Sequence, residues 1–379
     1  MAVHALFIAG VGLSSTFVNV YLWRHGGGLT IVARYHVALF LAFPVGAVAA
    51  GLLAARRDRI DALRWGVAAH ALFFLSVLAL GGRSPGFVWP LGVLMGLGMG
   101  FYYLGCSVLM LDLVKPGHAH RLVGAIDQAR LAGMTLTPFL AGWAVDRLPA
   151  GHGYRAIFAA SVVLFLVAVA FTRRVPRSNA GRVPLPLGDA LVGSPDPAWR
   201  TYLVAQGWRG LRDGVFLFLA GVLVFDRARN ELQLGLFALG TGALTWAATA
   251  WVTRRAEPAN HRSLLGFGVA GSALAAAALV AVPGWPGIVA FGILESASLP
   301  LVAVPFSSAS YVLAGKDRRR GLGQMVAREI PLNLGRLAGV ALLLAALQWI
   351  RHPAAVPAVL AGVGLANLAA LVVLRRGVV

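Results

Sequence analysis

In QMVAREIPLNLGRLAG (residues 324–339), Glu329, Asn333 and Arg336 stand at i, i+4 and i+7, so a helix there carries all three on one face. In VAQGWRGLRDGVF, Arg209 and Asp213 are one turn apart and can pair, while Arg212 points slightly aside. Asp127 and Arg130 stand at i and i+3 in RLVGAIDQARLAG. Glu295 lies in FGILESASLPLVAVPFSSAS among small polar residues, Pro300 and Pro305, with no basic partner at i+3 or i+4. Such a set can exchange protons and recognise charge. Glu295, lacking a local partner, is the first proton-coupling candidate, and Asp213, Asp127 and Glu329 follow. Arg209, Arg212, Arg328 and Arg336 stay charged and outnumber their local acids, which suits an anionic or zwitterionic substrate, including a lipid-like one. Asn333, Asn19, Tyr102 and Tyr103 are further candidate substrate contacts.

The surroundings of these groups are apolar. Hydrophobic residues make up 59% of the chain and charged residues 12%, about half the charged share of a soluble domain. Mean hydropathy is +0.77. Long apolar runs separated by short arginine-rich stretches read as a polytopic all-α membrane protein. The alternating ten-residue segments of a membrane barrel are missing. The net charge of +19 sits at the ends of the apolar runs, which points to anionic lipid head groups and away from nucleic acid. Cys106 is the sole cysteine, so an intrachain disulfide is excluded, and the residue reads as inert packing. His4 and His70 also read as packed residues. No HExxH, P-loop or paired loop carboxylates occur, which argues against an enzyme and against ATP-driven transport. No metal or cofactor is expected. The opening MAVHALFIAGVGLSSTFVNVYL lacks a basic start and a cleavage site and reads as a retained first span.

Candidate spans fall near 3–22, 35–55, 63–81, 87–111, 122–145, 154–172, 202–224, 232–252, 263–282, 287–314, 322–349 and 353–374. The polar stretch RRVPRSNAGRVPLPLGDALVGSPDPAWR between the sixth and seventh reads as a surface linker. This divides the chain into a six-helix bundle over 1–176, a cytoplasmic linker over 177–200 and a second bundle over 201–379. With the amino terminus inside, inner segments hold twenty basic residues against eight outside, so both termini are expected in the cytoplasm. A shift of 199 positions lays RLVGAIDQARLAG on RGLGQMVAREIPL, and a similar shift lays FIAGVGLSSTF on LVAQGWRGLRD. Both matches suggest a six-plus-six repeat. Gly92, Gly96 and Gly100 recur every fourth residue in the fourth span, a pattern that lets helix backbones approach closely.

Local motifs sharpen the reading. The loop GLLAARRDRIDALRWG resembles the Gly-x-x-x-Asp-Arg-x-Gly-Arg-Arg signature of the major facilitator superfamily, with Gly51 and Arg56 in place. Ala55 stands where that signature has its acid, and Asp58 is nearby. In RLAGMTLTPFLAGWAV, Gly133, Pro138 and Gly142 are similar to the superfamily's antiporter-associated motif, with Thr137-Pro138 replacing its Gly-Pro pair. GYRAIFAAS resembles the entry to the sixth span. The resemblance implies twelve helices in two bundles, alternating access, and a cavity lined by helices one, four, seven and ten. Helices five and eleven would flank it. It casts Gly51, Arg56, Asp58, Arg130, Gly133, Pro138 and Gly142 as gate residues, beside Pro331, whose ring predicts a kink. The leading expectation is a monomeric secondary transporter in the cell membrane that exports small amphipathic or anionic compounds by proton antiport. A lipid or glycolipid flippase and an organic-anion importer are the alternatives in transport. A receptor is disfavoured because no loop can form a soluble domain.

Overall fold

The computed structural model describes residues 2–113, 119–149, 151–174, 185–228, 230–257, 260–316, 318–349 and 355–375. The chain begins with α1 (Ala2–Gly26), α2 (Leu29–Arg56) and α3 (Arg59–Leu80). A 3-10 turn (Gly81–Phe87) then leads into α4 (Val88–Leu113), α5 (Ala119–Arg147) and α6 (His152–Thr172). The short α7 (Leu187–Leu191) follows, then α8 (Pro197–Ala228), α9 (Glu231–Arg255), α10 (His261–Ala281) and α11 (Trp285–Gly315). The chain closes with α12 (Arg318–Ala327), α13 (Glu329–Gln348) and α14 (Ala355–Arg375). Among the described residues there are eight helical stretches long and apolar enough to cross a membrane, so the chain is a multi-pass membrane protein. Two further long helices, α5 and α8, carry the charged residues that lower their hydropathy.

Contacts sort the helices into two sets. In the first, α4 packs on α2 and α3, while α6 packs on α1 and α3. In the second, α8 packs on α13 and α14, α10 on α11, and α11 on α9. The sets meet mainly where α5 lies on α9 and α2 on α13. The glycine stripe of α4 explains one tight pair. A side chain at Gly92, Gly96 or Gly100 would fall on the α2 backbone at Tyr35, Leu39 or Phe43. A second glycine crossing, not read from the sequence, joins α8 to α13. Side chains at Gly210 and Gly214 would strike the backbone at Leu332 and Arg336, and those at Gly335 and Gly339 would strike Gly207 and Leu211. Crossings of this kind let backbones meet where lipid offers no hydrophobic driving force.

The eleventh span runs over Arg320–Gln348 and carries the expected irregularity at Arg328, between α12 and α13. Pro331 is the cause, because it lacks an N–H and its ring crowds the carbonyl of Ala327 one turn back. One expectation needs correction: the linker is not wholly a surface segment. Ala190 is 3% exposed and Trp199 is fully buried, and the Trp199 indole donates to the Ala190 carbonyl at 2.7 Å. Leu185 and Leu187 pack into a cluster formed by Ala50, Ala54, Leu104 and Val108 of the first set and by Tyr311, Leu322, Met325 and Val326 of the second. These apolar residues, hidden in a polar stretch, anchor the linker's second half at a few points, while Gly188, Asp189, Val192 and Gly193 stay exposed.

Candidate functional site

Three elements of the second set position the buried charges. On α8, Arg209 pairs with Asp213 at 3.4 Å (Nε to Oδ2), the spacing that one helical turn allows. Arg212 does more than point aside. Its side chain is 2% exposed; it pairs with Glu295 on α11 and lies 4.0 Å from Asp213. Glu295 is therefore not unpartnered: its partner is remote in sequence, on a neighbouring helix, where spacing along α11 cannot reveal it. On α13, Asn333 donates to the Glu329 carbonyl at 2.8 Å and accepts from Arg336 at 3.1 Å, which ties the predicted stripe together. Arg328 pairs with Glu329 at 3.1 Å.

Each of these arginines also lies over an aromatic ring: Arg209 over Phe306 (5.3 Å), Arg212 over Phe216 (4.8 Å), Arg328 over Tyr311 (5.3 Å) and Arg336 over Phe40 (5.6 Å). Guanidinium stacking suits cations held away from water. The four arginines face three carboxylates, those of Asp213, Glu295 and Glu329, which leaves one excess positive charge in the cluster. Among the described residues, no carboxylate lies within pairing distance of Arg336, and the Nε atoms of Arg212 and Arg336 are buried without a partner.

Arg212, Asp213 and Glu295 line a cavity of about 210 Å³ between α8, α9 and α11, room for about seven waters. Its other walls are Phe216, Leu217, Ala220, Phe237, Thr241, Phe291, Gly292, Ser296 and Leu299. Phe216 and Phe291 stack at 5.3 Å. A side chain at Gly292 would meet the Phe237 ring at 2.6 Å, so Gly292 makes room for that wall. The three phenylalanines were not among the sequence candidates. The i, i+4 spacing of Arg212 and Phe216 was the one signal that could have found them.

The other candidates sit elsewhere. Tyr102 is fully buried in the first set, where its hydroxyl meets His4 Nδ1 at 2.8 Å and its ring stacks on Phe7. Tyr103 packs beside Phe43. Asn19 Oδ1 is buried and lacks a partner among the described residues. The Asp127 side chain, and with it the expected pair with Arg130, lies outside the described residues. Asp58 caps α3 by accepting from the Ile60 N–H at 3.1 Å, while Arg56 is exposed.

Bridges between the two sets occur at both ends. At the end holding the amino terminus, Arg328 donates to Ser107 on α4 at 2.7 Å and to Ser310 on α11 at 2.8 Å. Gly51 lies against Val326 there. At the opposite end, Glu231 accepts from Arg24 at 2.9 Å and from Tyr154 at 3.0 Å, and Asn230 donates to Asp146 at 3.2 Å. Gly142 and Pro138 make the close α5–α9 contact that seats this bridge: Gly142 lies on Glu231, and the Pro138 carbonyl lies against Gly235. Gly133 faces Ile8 on α1.

No protein-family model matches the chain. It is 30% identical over 378 residues to YqgE, an uncharacterized protein of Bacillus subtilis (strain 168), covering 97% of this chain and 86% of that one. The human organic anion transporter MFSD10 (TETRAN) superposes with a TM-score of 0.71 at 16% identity, covering 98% of this chain and 97% of MFSD10. The proton:xylose symporter XylE superposes with a TM-score of 0.75 at 14% identity, over 100% and 94%. The chain belongs to the family of YqgE, and its fold is the one seen in the solved transporters of the major facilitator superfamily.

Proposed function

We propose that the protein is a secondary active transporter that moves a small organic anion together with a proton by alternating access. The buried Arg212–Glu295 pair beside an aromatic cavity carries this reading. Arg212, 2% exposed, needs a counter-charge. While Glu295 is ionised it supplies that charge and excludes other anions. When Glu295 takes a proton, the guanidinium requires a replacement, and a substrate carboxylate in the cavity provides it. Proton and anion then favour each other's binding, which is the thermodynamic basis of symport.

The excess charge on Arg336 keeps the wider cluster favourable to an anion, and MFSD10, by its title, is an organic anion transporter. Antiport-driven export and lipid movement rank behind this reading, because co-binding at one pair couples the two species in the same direction and the cavity is small. The same proposal takes the twelve-span topology with both termini cytoplasmic, bundles over 1–176 and 201–379, and the segment 177–200 between them. The bridges at Arg328 and at Glu231 are its two gates.

The test is uptake into proteoliposomes of labelled benzoate, cyclohexanecarboxylate and benzamide under an imposed proton gradient. Gradient-driven accumulation of the carboxylates but not of the neutral amide is expected. Flux of every carboxylate that ignores the gradient would overturn proton coupling, and accumulation of benzamide would overturn charge recognition.

A further inference from the structure

We infer that α9 carries a binding site for one anionic phospholipid, on a face that takes no part in the transport cluster. Of the eight described stretches apolar enough to span a membrane, α9 is the least buried, at 17%. Toward its carboxyl end, Trp246, Ala247, Ala250, Trp251, Arg254 and Arg255 line a groove of about 400 Å³. The residues recur at helical spacing, so a single stripe makes the whole groove. Trp246 and Trp251 are 44% and 48% exposed and stand as walls. Ala247 and Ala250, small residues, line the groove between them.

The charged end of the groove fits a phosphodiester. The Arg255 guanidinium lies 5.5 Å over the Trp251 ring, which aims it along the groove. Arg254 stands beside it, and neither is ion-paired with a described carboxylate. Glu257 is close in sequence, but among the described residues its carboxylate forms no ion pair with either arginine. A helix carboxyl end calls for about half a positive charge, so two arginines exceed what the dipole accounts for. Asn260 already satisfies the Arg255 carbonyl at 2.7 Å. Thr241, Thr245, Thr249 and Thr253 bond back to their own helix, which leaves the arginines as the donors able to hold a head group. Trp and Arg at this position match the interface between hydrocarbon and head groups.

The experiment places the purified protein in phosphatidylcholine nanodiscs and titrates in phosphatidylglycerol with brominated acyl chains, using brominated phosphatidylcholine as the reference. Bromine quenches a tryptophan it touches, so quenching is compared with and without Trp246→Phe/Trp251→Phe. Saturable extra quenching by phosphatidylglycerol, assigned to those two tryptophans, is expected. Arg254→Gln/Arg255→Gln weakens it about thirtyfold, and Arg254→Lys/Arg255→Lys restores most of it. Ala250→Leu fills the groove and removes the quenching with both charges intact. Glycerol phosphate in solution does not compete, because it lacks the chain. Equal quenching by the two lipids, or quenching indifferent to both the charge and the groove variants, would overturn the site. Competition by glycerol phosphate would reduce it to a phosphate site.

Discussion

Replacing Glu295 by Gln keeps the shape of the side chain and removes its charge. Among the described carboxylates, Arg212 then retains only Asp213, 4.0 Å away and already paired with Arg209. Breaking a buried pair costs about 3–5 kcal/mol. The Glu295 side chain is 15% exposed and Asp213 remains near, so the lower end, about 3 kcal/mol, applies. An anion in the cavity that satisfies Arg212 recovers this energy, which corresponds to roughly 150-fold tighter binding. The wild-type protein, in which Glu295 already occupies Arg212, should bind benzoate weakly. Glu295→Gln should bind it roughly 150-fold more tightly, exchange it readily in counterflow, and fail to accumulate it when a proton gradient is imposed. Calorimetric titration of the purified protein reads the first effect, and paired counterflow and gradient uptake in proteoliposomes read the others. The double variant Arg212→Gln/Glu295→Gln removes both charges together and should fold without binding benzoate. If Glu295→Gln binds benzoate no more tightly than the wild type, the exchange of partners at Arg212 is wrong.

Other perturbations probe the surrounding structure. Gly214→Leu drives a side chain into the α13 backbone at Arg336 and should abolish the folded protein, seen as loss of a monodisperse chromatographic peak, whereas Gly240→Leu, with open space around it, should not. Glu231→Gln weakens its bond from Arg24, whose side chain is 57% exposed, and should cost about 1 kcal/mol. That shifts the protein toward a state open at this end, read as faster labelling of a cysteine placed at Thr16 in a Cys106→Ser background. The Lys316–Asp196 bridge at 3.1 Å joins the end of α11 to the start of α8. Burial is the largest single influence on the Asp196 carboxyl and raises it, but Lys316 and the Ala198 and Trp199 N–H groups together hold it below its ordinary value of 3.8. Its small contribution, at most ~0.5 kcal/mol for so exposed a pair, is present above about pH 4 and fades as pH falls further. Asp196→Asn should therefore flatten the acid limb of a thermal-stability profile and leave its neutral region nearly unchanged.

Short-range periodicity was the part of the design legible in the residues. The stripe of Glu329, Asn333 and Arg336, the Arg209–Asp213 pair, the glycines of α4 and the break near Pro331 all depend on neighbours within two turns, so spacing alone locates them. The partner of Glu295 depends on how α8 lies against α11, 83 positions away, and no local pattern encodes that. The Gly210–Gly214 and Gly335–Gly339 crossing was missed for a related reason: each pair looks ordinary until its mate is known. The linker misled in the opposite way. Its proline, glycine and charge content outweighed a few apolar residues, yet Trp199, Ala190, Leu185 and Leu187 are the ones that choose its place.

That partly buried linker bears on kinetics. Leu185 and Leu187 pack against the seam where Ala50 and Ala54 meet Met325 and Val326, so parting α2 from α12 would expose their apolar surface as well. In the proposed transport cycle, opening this end carries that added cost, and residues 185–191 act on its rate without touching the cavity.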